Sequence, residues 1–218
     1  MTNNVPARPR FQRSSQFAQY LMQRLRIHTY PINLKYVCSH VIATIQPYSY
    51  YAKCLGCTVP DYIDIVTAQD GFTLYDGKRQ RYVIAYNDTV PNYPRIRWTL
   101  AHELGHILLG HFKEFDGTRF DLDRCRCGLS DSQYAVLDVE ANTFAGELLC
   151  SPAMIGCLPG CLQTVEAISQ LFLVSGQAAE KALTAWEDYE GLHTKRKSFY
   201  QKQFQDYLDT MSIFSNVS

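Results

Sequence analysis

Apolar residues recur along this chain with two different periods, and the switch between them outlines the fold. Phe17, Leu21 and Leu25 are four apart, the repeat of one helix face, behind a serine pair (Ser14, Ser15) suited to capping. Ile32, Leu34, Val37, Val41 and Ile42 predict a second helix ending before Pro47. From Asp61 the pattern shortens: Tyr62, Ile63, Ile65 and Val66 precede Asp70-Gly71, then Phe72 and Leu74 precede Asp76-Gly77, and Tyr82, Val83, Ile84 and Tyr86 follow. Aromatic and β-branched residues punctuated by Asp-Gly pairs predict short antiparallel strands and a hairpin. Pro91 and Pro94 mark a loop, after which residues 98–109 are apolar in the manner of a buried helix. Residues 112–133 are polar and Gly-containing and predict a mobile loop. Helical spacing returns over 134–149, over a helix pair at 164–173 and 177–186, and in a charged, aromatic tail from Lys195 to Met211.

This pattern predicts an α+β fold, a small antiparallel sheet packed on helices. Its parts are a mobile N-terminal arm (1–13), one domain (14–186, with its core at 60–152) and a C-terminal helical tail (187–218).

Charge narrows the possible partners. Among 218 residues, 21 Lys and Arg balance 21 Asp and Glu, which argues against a dedicated nucleic-acid surface or an electrostatic membrane anchor. The N-terminal arginines then read as solvated faces of helices. The N-terminus lacks the apolar stretch of a secretion signal, and no later run is long enough for a bilayer. The expected location is the cytoplasm, where the eight cysteines would be reduced thiols. Cys54/Cys57, Cys125/Cys127 and Cys157/Cys161 are close pairs without the regular repeat of a structural zinc site, so free thiols are expected. The pair of helices around Val174-Ser175-Gly176 resembles a helix-turn-helix, but residues 177–181 carry one lysine, which favours a packing role over DNA reading.

Chemistry concentrates at His102-Glu103-Leu104-Gly105-His106. Residues four apart share a helix face, so His102 and His106 can offer two imidazole nitrogens to one metal ion. Glu103, turned by about 100° from His102, can reach a metal-bound water and act as general base. A catalytic zinc takes three protein ligands and keeps a position for water. The metzincin spacing for a third ligand falls on Leu109 and Phe112 and is excluded. His111 lies about 180° around the helix from His102 and reads as a polar residue at the helix end. A carboxylate from 137–149 is the alternative source. The apolar stripe there is Ala141, Phe144, Ala145, Leu148 and Leu149. Asp138 lies about 50° from its centre and Glu140 about 110°. Asp138 is therefore the preferred ligand and Glu140 the alternative. Asn142, one turn beyond Asp138, is placed to hydrogen-bond a liganding histidine. Glu147 reads as solvated.

The stretch RWTLAHELGHILLGH (97–111) followed by EANTFAGELL (140–149) resembles the ImmA/IrrE family of zinc metallopeptidases, as do the Asp70-Gly71 strand and VEAISQLFLVSGQAAEKAL (165–183). The family usually places a glutamate three residues before the alanine of the second helix; here that position is Asp138, one methylene shorter. Cys150-Ser151-Pro152 stands where the family commonly has a methionine and a proline. The resemblance implies a zincin-like metallopeptidase core holding one Zn2+ per chain through His102, His106 and Asp138. It implies an intracellular endopeptidase with Glu103 as base, whose substrate is a helix-turn-helix repressor of a mobile element, prophage or stress regulon. That repressor would be a separate chain, because the first 30 residues are too short for a DNA-binding domain. No direct nucleic-acid or membrane partner is expected. A different class of reading is a non-proteolytic zinc-stabilised partner or toxin–antitoxin component acting on a regulator by contact. The strand at 82–86 is either an edge that holds an extended substrate by β-augmentation or an interior strand. An oxyanion donor besides the metal would be a tyrosine or a histidine, and fifteen tyrosines leave the choice open.

Overall fold

The computed structural model describes residues 4–114, 119–121, 129–189 and 199–215. In chain order the elements are α1 (Phe11–Arg24), α2 (Leu34–Ser39), β1 (Ala43–Pro47), α3 (Tyr48–Leu55), α4 (Val59–Val66), β2 (Gly71–Asp76), β3 (Arg81–Tyr86), α5 (Tyr93–Leu108), α6 (His111–Glu114), β4 (Arg119–Asp121), α7 (Asp131–Cys150), α8 (Pro152–Ile155), α9 (Val165–Phe172), α10 (Gly176–Tyr189) and α11 (Phe199–Ser215). The result is a mostly helical α+β fold with one small sheet. The chain divides into two compact units, Met1–Phe17 with Leu34–Ala145, and Ala18–Asn33 with Gly146–Ser218.

In the first unit the sheet order is β1-β3-β2-β4. The predicted hairpin forms between β2 and β3, antiparallel from Gly71 opposite Tyr86 to Asp76 opposite Arg81. Its turn is held by Asp76, whose Oδ1 accepts from the backbone N–H of Lys78 and Arg79. The sheet is mixed rather than antiparallel, because β1 pairs parallel with β3. That strand replaces the end of the predicted second helix, which stops at Ser39. Val41 and Ile42 belong to the turn and strand entry that carry the chain to the sheet. It also makes β3 interior, so 82–86 is not an edge onto which a substrate could add.

Residues 61–66 form a helix, not the predicted strand. Thr58 Oγ1 accepts from the Asp61 N–H while Asp61 Oδ2 accepts from the Thr58 N–H, a reciprocal capping box. Four apolar residues within five positions (Tyr62, Ile63, Ile65, Val66) are ambiguous between strand and helix, and the cap decides. α4 then buries Tyr62 and Val66 with Tyr48, Ala52, Ala68, Phe72 and Ala85.

α5 packs on β2 and β3. Asn92 caps it, its side-chain oxygen accepting from the Arg95 N–H. Nine residues from Arg97 to His106 are buried, the two histidines and the glutamate among them. Helix α1 begins at Phe11, ahead of the serines expected to cap it; Ser14 is buried within it. The residues expected to form a mobile arm are tied to this unit: the Asn4 N–H donates to the Glu114 carbonyl, and Arg10 and Arg13 make the contacts described below.

The second unit has an aromatic centre in which the Tyr30 ring packs against Phe172, Phe204 and Tyr207. The C-terminal helix is thus more than a surface element: Tyr200 and Phe204 are buried. In the helix pair, α9 and α10 pack on each other, with Ile168, Phe172, Ala179 and Ala182 inside. Among the described residues no helix is long and apolar enough to cross a membrane.

Candidate metal centre

The site stands between α5 and α7 in the first unit, and a glycine lets the two helices meet. A Cβ added at Gly105 would lie 3.2 Å from both the Cα and the carbonyl oxygen of Ala141, and 3.1 Å from Phe144 Cδ1. Only a residue without a side chain allows α7 so near. The close approach brings Asp138, one turn before Ala141 on α7, near His102.

His102, His106 and Asp138 bring one ligand atom each to within 4.8 Å of one another, and they are the group among the described residues able to hold a metal ion. The His102 and His106 Nε2 atoms are 2.9 Å apart. Asp138 Oδ1 lies 3.5 Å from His102 Nε2. Ligands about 2.0–2.2 Å from a tetrahedral ion are themselves roughly 3.3–3.6 Å apart, so these separations match to within a few tenths of an ångström.

Hydrogen bonds at the far sides of the rings assign the tautomers. Trp98 Nε1 can only donate, and it reaches Asn142 Oδ1 at 3.2 Å; Asn142 Nδ2 donates to Asp138 Oδ2 at 2.9 Å. The Asn142 oxygen therefore faces His102 Nδ1, 3.0 Å away, and accepts its proton. That leaves the His102 Nε2 lone pair pointing inward. Asn142 thus orients two of the three candidate ligands at once.

His106 is held by a longer chain. Its Nδ1 lies 2.8 Å from His111 Nδ1, and His111 Nε2 lies 3.1 Å from Glu140 Oε2. Burial alone would push the Glu140 carboxyl up, but hydrogen bonds from His111 and Arg10 outweigh it and hold the group at about 2. An ionised carboxylate only accepts, so His111 donates from Nε2 and accepts at Nδ1, and His106 must donate from Nδ1. Both His102 and His106 then turn unprotonated Nε2 atoms toward each other and toward Asp138 Oδ1. That oxygen is buried and accepts no hydrogen bond among the described residues. Two lone pairs and a carboxylate oxygen converging in a buried space are mutually repulsive without a cation, so the donor set fits a metal ion. Burial also lowers the pKa of both histidines, offset at His102 by Asp138 and reinforced at His106 by the other two imidazoles. Neutral rings are the form that ligates.

Glu103 is fully buried on the same helix. Its Oε2 accepts from Thr73 Oγ1 on β2 at 2.7 Å, which fixes the carboxylate against the sheet.

Several residues fall elsewhere than the helical wheel placed them. Glu140, the alternative ligand, lies outside the group formed by His102, His106 and Asp138 and is fully buried with Arg10 and His111. Its partners, Arg10 and His111, come from other segments, which a helical wheel does not show. His111 is buried rather than a polar end to α5. Gly110, at φ 76°, breaks the helix and turns His111 back toward His106, so the angle along a continued helix does not apply. A histidine just beyond a helix-ending glycine was the available signal. Arg10 and Arg13 are half-buried and paired rather than simply solvated: Arg10 grips Glu114 and Glu140, and Arg13 donates to the Leu109 carbonyl. Glu147 is hydrogen-bonded by Gln19 and Ser151, and burial raises its pKa. Thr73 carried no signal in sequence. Cys38, Cys54, Cys57, Cys150, Cys157 and Cys161 are free thiols. Cys125, Cys127 and half of the predicted loop at 112–133 lie outside the described residues.

Two histidines one turn apart, a carboxylate from a second helix and a buried glutamate beside them are the parts of a metallohydrolase. Residues 61–184 match the family model of the IrrE N-terminal-like domain, Peptidase_M78. The match spans more than half of the chain and includes every residue of the centre from Thr73 to Asn142, and the chain belongs to this family of metallopeptidases. No curated protein matches it.

Proposed function

We infer that the protein is a zinc-dependent endopeptidase of the cytoplasm whose substrate is a helix-turn-helix repressor on a separate chain. The observation that carries the peptidase reading is the convergence of His102 Nε2, His106 Nε2 and Asp138 Oδ1 beside the buried Glu103. The repressor rests on the family resemblance.

His102, His106 and Asp138 would hold one Zn2+. When bound, the ion supplies Lewis acidity, polarising a scissile carbonyl and making a water nucleophilic at neutral pH. The chain's own work is proton handling and orientation. Glu103, steadied by Thr73 at Oε2, accepts a proton from the attacking water and passes it to the leaving amine. Asn142 and His111 keep the liganding rings in the tautomer that presents Nε2. Burial of the two rings and of Glu103 keeps bulk water from competing with these contacts.

The test is terminal proteomics on native cell extract treated with zinc-loaded protein, beside Glu103→Gln. New N-termini are expected in one or a few DNA-binding regulators with wild type. None is expected with the variant, whose metal content stays near one per chain. Equal cleavage by both proteins, or none by wild type, overturns the reading.

A further inference from the structure

The chain of hydrogen bonds behind His106 does not stop at Glu140. Arg10 closes it from the N-terminal segment, which lies upstream of the family match at 61–184. Its backbone N–H and Nε donate to Glu140 Oε1 at 2.7 and 2.8 Å, and its NH2 donates to Oε2 at 2.7 Å. The same guanidinium spans Glu114 at the end of α6, with NH1 and NH2 donating to its two oxygens at 2.7 and 2.8 Å. Arg13, one turn into α1, donates to the Leu109 carbonyl at the end of α5. Two residues, Glu140 and His111, thus separate Arg10 from the His106 ring.

We propose that Arg10 is a positioning residue of the metal centre: by clamping both oxygens of Glu140 it fixes His111, and through it holds the His106 ring with Nε2 toward the metal. Three donors on one carboxylate leave it a single orientation, with Oε2 turned to His111. A planar guanidinium satisfies this and Glu114 together, which the single ammonium of a lysine does not. Without Arg10 the carboxylate turns within its pocket, His111 loses a defined acceptor, and the His106 ring is no longer held. The N-terminal segment is then a working part of the centre, supplied in cis.

The inference rests on the metal-binding role of His102, His106 and Asp138, and its test separates the two. Full-length wild type, Arg10→Met and Arg8→Met are compared, Arg8 being an exposed arginine of the same segment. Zn2+ affinity is read by competition with a chromophoric chelator. Imidazole 15N signals of the metal-free proteins are read at a temperature where circular dichroism shows them folded. Loss of a partner behind a metal ligand costs about 10–100-fold in affinity; through two intermediaries about 10-fold is expected for Arg10→Met and no change for Arg8→Met. The His106 ring should give one sharp Nδ1–H tautomer in wild type and Arg8→Met, and an averaged signal in Arg10→Met. If Arg10→Met does not fold, Glu114→Gln carries the test, with a smaller shift of the same sign. An affinity equal to that of Arg8→Met, or a weakened affinity with an unchanged His106 signal, overturns the proposal. Failure of wild type to bind Zn2+ would instead remove the peptidase reading, while the ring signals still decide the role of Arg10.

Discussion

Gly105→Ala is the sharpest probe of the centre, because it moves one helix without touching a ligand. The added Cβ would lie 3.2 Å from the Cα and carbonyl oxygen of Ala141 and 3.1 Å from Phe144 Cδ1. Carbon atoms are comfortable at about 3.5–4.0 Å, so the neighbours must retreat by several tenths of an ångström. The phenyl ring can swing aside, but the Ala141 atoms are backbone, and α7 itself must shift. Overpacking of this kind costs about 1–3 kcal/mol, and the better helix propensity of alanine returns about 1 kcal/mol. The net loss of about 0–2 kcal/mol lowers the Tm of the metal-free protein by at most about 8 °C. The metal site is less forgiving, since ligand distances are defined to about 0.2 Å and Asp138 sits one turn before Ala141 on the displaced helix. Zn2+ affinity should fall by more than about 10-fold, or 1.4 kcal/mol, with the fold retained. Lengthening the ligand should then compensate: Asp138→Glu weakens binding in wild type but restores it in the Gly105→Ala background. Chelator competition on the four proteins closes this cycle. Additive losses, with no rescue by glutamate, would refute the claim that the glycine contact sets the reach of Asp138.

Three further outcomes are expected. Asn142→Ala removes the acceptor of His102 and the donor to Asp138 and should weaken Zn2+ about 10–100-fold, visible as a smaller rise in Tm on adding the ion. Thr73→Val keeps the shape but not the hydrogen bond to Glu103; single-turnover cleavage should slow about 10-fold, short of the 10²–10⁴ that a general base supplies, while metal content is unchanged. Glu140 is held down from 4.5 to about 2 in the fold, so the unfolded chain takes up the proton first as pH falls. Its contribution, on the order of 3 kcal/mol, is complete above about pH 4.5 and lost on the way to pH 2. Acid unfolding of Glu140→Gln should lack that part of the slope, and identical profiles would show that the ion pair contributes nothing.

The sequence by itself determined what lies within one helix. His102, Glu103 and His106 are related by helical geometry alone, and the same rule chose Asp138 and put Asn142 one turn beyond it. The hairpin was legible for the same reason, since its Asp-Gly punctuation and alternation are local. What was not legible depends on residues far apart in the chain. Whether 61–66 became strand or helix turned on a cap, and whether 82–86 was an edge turned on β1, a strand hidden behind a helical pattern. The parts behind His106 were misjudged because a helical wheel knows only its own helix. His111 leaves the wheel at the left-handed Gly110, and Glu140 finds its partner 130 residues away at Arg10. Burial of a carboxylate and an imidazole is stable only when both are paired. The pairing is supplied by an N-terminal segment whose arginines, read along the chain, looked like ordinary solvated charge. Residue spacing picked out the candidate ligands; the assembled fold decided what holds those side chains in place.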